Sequence, residues 1–238
     1  LQKKRIRCVG NPEERFGEDA LRILRAFRFS AQLGFQIEEE TRTAARKLAP
    51  SLRQISAERI AVELTKLLVS DRPEYLRNAW EAGITEIVLP EFDLLMKTPQ
   101  NNPHHRFSVG GHTLESLRYV PADRVLRWTM LLHDMGKPKC RTTDEEGVDH
   151  FKGHGRAGVE LAKEILRRLK FDNDTIRKVT VLIQWHDCRM NAEEKAVRRI
   201  MSRITPELFR LLMDVQYADA MAQSEYRRKE KLERIEKV

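Results

Sequence analysis

Cysteine is scarce in this chain: Cys8, Cys140 and Cys188 are the three present, an odd set with no CxxC spacing. That excludes a disulfide framework and a cysteine zinc site, and it points to a reducing cytoplasm. Long apolar runs are missing as well. Nothing approaches the roughly 20 residues that a membrane helix needs, and no signal-peptide pattern opens the chain, so no membrane partner is expected. Strand-type alternation is nearly absent, and there is no internal repeat or low-complexity segment. Charge, by contrast, is plentiful. Charged residues make up 34% of the sequence and leave a formal net charge of +8, with Arg and Lys both scattered and clustered. Such a balance favours a polyanion such as RNA over a lipid surface. An apolar content of 41% over 238 residues is enough for one large or two smaller domains with cores. The chain opens on Leu1 rather than Met and stops at Val238, inside the charged run from Glu225 to Lys237, so it reads as an excised fragment.

Lys4 to Val9 reads as a short strand or extended lead-in, ended by Gly10, Asn11 and Pro12. Helical pattern then takes over. Ala20, Leu24, Phe27 and Ala31 recur at helical spacing with Arg22, Arg25 and Arg28 on other faces, and Gly34 is the expected stop. Further helices are predicted over 38–48, over 56–69 with Ser56 as N-cap, and over 73–82. From Pro90 to Gly111, three prolines, two asparagines and two glycines read as a long linker or functional loop. A domain boundary is expected there, dividing the chain into 1–98 and 99–238. Beyond it helices are predicted over 112–119, 123–134, 156–169, 175–186, 192–204 and 206–225, the last opened by Thr205 and Pro206. The expected class is all-α: a helical neck or body followed by a helical bundle.

Six potential metal ligands stand in the second half: His112, the adjacent His133 and Asp134, His154, His186 and Asp219. Leu126, Met130 and His133 share one helix face, as do Val179, Leu182 and His186, and again Leu208, Leu212, Val215 and Asp219. Three titratable groups therefore point inward. A buried lone carboxylate costs several kcal/mol unless it is paired, hydrogen-bonded or metal-bound. Any one inward histidine is ordinarily a satisfied core residue, but the set together is harder to explain without a cation. Imidazole and carboxylate donors without thiolate suit Mn, Fe, Co, Ni, Zn or, with more waters, Mg. Within His133-Asp134-Met135-Gly136-Lys137-Pro138, two ligands meet a helix end, the glycine is expected to free the backbone, and Lys137 can reach a phosphate.

This order resembles the HD superfamily of metal-dependent phosphohydrolases: a first His, a His-Asp pair, two intermediate His and a final Asp. The resemblance implies that His112, His133, Asp134 and Asp219 bind one metal, with His133, Asp134 and Lys137 as catalytic residues. His154 and His186 match the intermediate positions, which either hold a second metal with Asp134 bridging or contact the substrate phosphate. His104, His105 and His150 fit no slot and read as loop histidines. Cys188 has a weaker claim still.

The first half carries Glu18-Asp19-Ala20-Leu21-Arg22, with Asp19 and Arg22 expected on one helix face. One reading is an intrahelical ion pair near a helix N-terminus. The other is a base reader. Cytosine and adenine each offer an exocyclic amino donor beside a ring-nitrogen acceptor, which a carboxylate beside a guanidinium matches; uracil and guanine would mispair, at roughly 1–3 kcal/mol each. Residues Cys8 to Ile37, especially Arg22 to Phe29 and Leu33-Gly34-Phe35, resemble the neck of bacterial class II CCA-adding enzymes and poly(A) polymerases. That resemblance implies nucleotide binding by Asp19, Arg22 and Arg25, CTP and ATP as substrates of a parent enzyme, and tRNA as partner. Some members carry an HD domain after the neck that hydrolyses small phosphoesters, including 2′,3′-cyclic phosphates. No segment here matches the family's catalytic head. Two other readings stand beside this one: a stand-alone HD nucleotidase with a helical scaffold in front, and a non-catalytic tRNA-binding module whose HD ligands brace the helices. Binding of CTP and ATP but not UTP or GTP distinguishes the first, and tRNA affinity with and without Asp134 the second.

Overall fold

In the computed structural model, residues 4–101, 107–189 and 193–237 are described, and His104 and His105 lie outside them. Strand content among these residues is confined to two-residue pairs: β1 (Arg5–Ile6) runs parallel to β2 (Gln36–Ile37), and β3 (Thr142–Thr143) antiparallel to β4 (Asp149–His150). All else of regular structure is helical, as the missing strand pattern predicts.

The first half builds α1 (Pro12–Glu18), α2 (Leu21–Leu33), α3 (Glu39–Leu48), α4 (Ala57–Leu68), α5 (Leu76–Glu81), α6 (Thr85–Val88) and α7 (Pro90–Lys97). Asn11 starts α1 by accepting from the Glu13 amide, with Pro12 in the first turn where its missing N–H costs nothing. Gly34 ends α2 at φ 67°, a left-handed conformation, its N–H bonded to the Ser30 carbonyl. The Arg72 guanidinium packs so closely there that a Cβ would lie 2.6 Å from it. Ser56 occupies the N-cap position of α4, but its hydroxyl makes no capping bond.

The second half builds α8 (Val109–Ser116), α9 (Arg124–Leu132), α10 (Lys137–Cys140), α11 (His154–Arg168), α12 (Asn173–Trp185), α13 (Glu194–Ile204), α14 (Pro206–Met221) and α15 (Glu225–Ile235). Side-chain caps from Ser108, Asp123, Asp172 and Thr205 open α8, α9, α12 and α14.

Much of the expected linker from Pro90 to Gly111 is helical instead. Pro90 is a first-turn residue of α7, whose Phe92, Leu95 and Met96 are buried, and Gly110 and Gly111 lie inside α8. The glycines serve contact, not looseness: a Cβ on Gly110 would stand 2.6 Å from the Met96 Cα. Nor do the halves have separate interiors. One contiguous core runs from Phe16 to Ala218, and α4 packs on α9. There Trp128 Nε1 donates to Thr65 Oγ1 at 2.9 Å and Arg127 Nη1 to the Leu68 carbonyl at 3.1 Å. Such packing brings the ends of α8, α9, α11, α12 and α14 to one point.

Candidate metal centre and the Asp19 segment

His133 and His186 follow the last residues of α9 and α12, at the end where unpaired carbonyls are available. Each uses one: Nδ1 of His133 donates to the Met130 carbonyl at 2.7 Å, and Nδ1 of His186 to the Ile183 carbonyl at 2.6 Å. His154, first residue of α11, does the same toward the Phe151 carbonyl at 2.9 Å, and His112 on α8 lies 3.3 Å from that of Ala222. Anchoring Nδ1 leaves Nε2 of every ring facing inward as a possible donor atom to a cation.

All six sequence-singled residues meet there. His112 Nε2 lies 2.9 Å from Asp219 Oδ1 and 3.9 Å from Asp134 Oδ2; His133 Nε2 is 3.3 Å from Asp134 Oδ2 and 3.8 Å from Asp219 Oδ1. On the other side, Asp134 Oδ1 lies 3.7 Å from His154 Nε2 and 3.9 Å from His186 Nε2, and those two nitrogens are 3.4 Å apart. The donor atoms fall into two triads, His112, His133, Asp134 and Asp134, His154, His186, with Asp134 common to both. Lys137 Nζ stands 2.8 Å from Asp134 Oδ2.

Gly136 makes this convergence possible in a way the sequence reading misses. Its φ of −76° is open to any residue, so backbone freedom is not its role. A Cβ there would lie 2.1 Å from the His154 carbonyl oxygen and 2.6 Å from the Gly158 nitrogen. Only a hydrogen at that position lets the start of α11, with His154, approach the His133-Asp134 pair.

Electrostatics fit a cation. Burial opposes charge on Asp134, but His133 and Lys137 outweigh it and hold the carboxyl well below the usual range. Burial opposes charge on Asp219 too, and Lys231, His112 and His133 overcome it to the same end. Burial also works against a proton on His133, yet the neighbouring Asp134 and Asp219 carboxylates raise its pKa. His186 goes the other way: burial and the His133 cation push it down to about 4, so it is a neutral donor at neutral pH. His133 Nε2 is buried and makes no hydrogen bond of good geometry within the protein, while Asp134 Oδ2 is paired with the Lys137 ammonium at 2.8 Å. A buried ring nitrogen left without a hydrogen bond costs about 1–3 kcal/mol, and a metal ion satisfies it. With only imidazole nitrogen and carboxylate oxygen in the set, the residues present fit a divalent cation. The centre opens on a cavity of about 450 Å³ whose wall includes Lys152, Arg189, Arg227, Lys231 and Arg234.

The other predicted surface differs from expectation. Asp19 is not on a helix face with Arg22: its backbone is extended (φ −151°), because it ends α1 and leads into α2. Oδ1 accepts from the Leu21 amide at 3.1 Å and Oδ2 faces Arg59 Nη2 at 3.4 Å. Arg22 donates instead to the Arg15 carbonyl at 2.9 Å and pairs with Glu18. Arg25 and Arg28, one turn apart on α2, both pair with the buried Glu63 of α4, at 3.5 and 3.0 Å. Asp19 and Arg25 take their ionic partners, Arg59 and Glu63, from α4 rather than from their own segment.

Residues 104–226 match the HD domain family, a segment that holds all six converging ligands. The chain belongs to that family. Residues 34–96, ahead of the HD domain, match a family described as the probable RNA and SrmB-binding site of polymerase A. Among curated proteins, the chain is 32% identical over 228 residues to the A-adding tRNA nucleotidyltransferase of Deinococcus radiodurans, covering 90% of this chain and 52% of that one. It is 35% identical over 215 residues to the CC-adding tRNA nucleotidyltransferase of Thermus thermophilus, covering 84% of this chain and 49% of that one. The chain thus spans about half the length of these relatives. Its homologues are tRNA nucleotidyltransferases. In fold it is similar to the Bacillus stearothermophilus CCA-adding enzyme solved with CTP, at a TM-score of 0.64 and 24% identity over 98% of this chain and 50% of that one.

Sequence reasoning missed Glu63, Arg59, Gln223 and Lys231. Glu63 carries the signal that exposed Asp219: a carboxylate within an apolar stripe, here Ile60, Leu64 and Leu67. Gln223 donates to Asp219 Oδ2 at 3.0 Å and Lys231 at 2.7 Å. Lys231 has no such mark, since α15 carries few apolar residues and only its packing on α14 tells which lysine turns toward the HD domain.

Proposed function

We propose that this chain is the neck and HD portion of a tRNA nucleotidyltransferase, divided into a neck of residues 1–98 and an HD domain of residues 99–238 that hydrolyses small phosphoesters. What supports the hydrolytic half is one observation: six imidazole and carboxylate side chains from five helices converge so that Asp134 belongs to both triads. A bound divalent metal, whether Mg, Mn, Ni, Co, Fe or Zn, polarises a phosphoryl oxygen and lowers the pKa of coordinated water. The chain's residues do the rest. His112, His133, Asp134 and Asp219 would hold one ion, and His154 and His186 a second with Asp134 between. The Nδ1 bonds to backbone carbonyls keep the rings from turning away. Lys137, which lines the cavity, donates to a phosphate oxygen in this reading. The cavity's size and basic wall suit a nucleotide-sized phosphoester, including a 2′,3′-cyclic phosphate.

In the neck, Asp19, Arg22 and Arg25 select the base of CTP or ATP, with Arg59 holding the Asp19 carboxylate in place. Partners of the whole protein are tRNA and nucleotides, and its setting the cytoplasm. No helix among the described residues is long and apolar enough to cross a membrane. Likeness to tRNA nucleotidyltransferases extends over 84–90% of the chain, which favours this reading over a stand-alone HD nucleotidase.

The test is hydrolysis of bis-p-nitrophenyl phosphate and 2′,3′-cyclic AMP with Mn, Ni, Co, Mg, Fe or Zn, in wild type and Asp134→Asn. Metal-dependent turnover lost in the variant is expected. No turnover with any metal at full loading refutes a catalytic HD domain and leaves a binding module.

A further inference from the structure

Lys231 does not belong to the ligand set, and it lies outside the segment 104–226 that matches the HD domain. Yet its ammonium reaches into the centre from α15. Nζ lies 2.7 Å from Asp219 Oδ2 and 4.0 Å from Asp187 Oδ1, and the side chain is 24% exposed. The opposite oxygen of Asp219 is the one that faces His112 and His133. Lysine's head thus stands where it neutralises a carboxylate of the metal centre, and it also borders the cavity.

That double position has a consequence. A divalent ion on Asp219 takes over the neutralisation and repels the ammonium, leaving Lys231 on a four-carbon stem beside an open cavity. Around that cavity Arg227 and Arg234 are already paired with Glu230, at 3.2 and 2.8 Å. Lys231 is therefore the cavity-lining α15 cation whose short contact metal binding removes, leaving it only the longer approach to Asp187 at 4.0 Å. A phosphate dianion is the ligand that a displaced ammonium beside a divalent cation would meet best.

We propose that Lys231 is an exchangeable counter-ion: it holds Asp219 in the metal-free chain and turns to the phosphate of a phosphoester once a divalent cation takes the carboxylate. Metal and phosphate then bind cooperatively, each strengthening the other. This rests on the metal-centre reading above.

Lys231→Met keeps the stem and removes the charge; Lys231→Gln does so with a polar end. Free Mn(II) is followed by electron paramagnetic resonance in a titration of each 238-residue protein, and methylphosphonate, which is not hydrolysed, by calorimetry. Opposite signs are expected. Both variants bind Mn about tenfold more tightly, because no ammonium competes, and the Mn-loaded variants bind methylphosphonate about tenfold more weakly. In wild type, Mn tightens methylphosphonate binding. A residue that only ties α15 in place would weaken both. Mn affinity unchanged or weakened in both variants overturns the inference, as does collapse of both variants' metal-free melts without rescue by Mn. Failure of wild type to take up Mn at all instead removes the metal-centre reading beneath it.

Discussion

Gly136→Ala tests whether one missing methyl group permits the HD domain's convergence. The added Cβ would sit 2.1 Å from the His154 carbonyl oxygen and 2.6 Å from the Gly158 nitrogen, against a van der Waals separation well above 3 Å. Both obstacles are backbone, so no rotamer change relieves the clash. Helix α11 must shift away, and His154 with it. Overpacking of this kind costs about 1–3 kcal/mol, and a backbone-on-backbone clash belongs at the upper end, near 3. For a chain of this size that lowers the melting temperature by roughly 6–12 °C. The control is Gly155→Ala, in α11 itself, where a Cβ meets nothing within 4 Å. There alanine's better helix propensity stabilises by up to about 1 kcal/mol. Thermal denaturation followed by circular dichroism reads both signs. Mn titration should also show Gly136→Ala losing the second ion, held by Asp134, His154 and His186, before the first. A Gly136→Ala melt within 2 °C of wild type would mean that α11 does not depend on that close approach.

Asp134→Asn removes the anionic member common to both triads, so bound Mn in equilibrium dialysis should fall to background, whereas His154→Ala keeps the first ion; equal metal content in the two variants contradicts the shared position. Trp128→Phe deletes the bond to Thr65 that joins neck to bundle and should cost about 1 kcal/mol in urea unfolding, with no change excluding that link. In the metal-free chain, His186 sits at about 4, below its ordinary 6.5. The unfolded chain therefore gains that proton first, and stability from this group is lost as pH falls from 6.5 through about 4. His186→Gln should flatten the denaturant midpoint over that window, and parallel curves for variant and wild type refute it. Arg59→Ala frees the Asp19 carboxylate and should blunt the proposed preference for CTP and ATP over UTP and GTP in equilibrium binding; unchanged selectivity removes Arg59 from the proposed role.

Periodicity alone was enough to place Asp219, His133 and His186 inward, because an apolar stripe at helical spacing allows one buried face and each sits on it. The all-α class followed from the same signal together with the missing strand pattern. Linker chemistry was misread at Pro90 and at Gly110-Gly111, since proline opens a helix as readily as it interrupts one and glycine admits a close neighbour as readily as a turn. Nothing in the local pattern distinguishes those uses, because the distinction lies in what packs against the residue. The same holds for Asp19, whose three-residue spacing to Arg22 implies a shared helix face only if the helix already includes it.

Sequence by itself determined which imidazole and carboxylate groups are available to converge and which helices carry most of them, because these depend on side-chain chemistry and short-range spacing. Tertiary structure decided the rest: that Asp134 lies between two triads, that α11 can approach at Gly136, that Glu63 gathers Arg25 and Arg28, and that Lys231 rather than its neighbours reaches Asp219. Each of these is a meeting of groups far apart along the chain, and such meetings are settled by how helices pack, which no local pattern encodes.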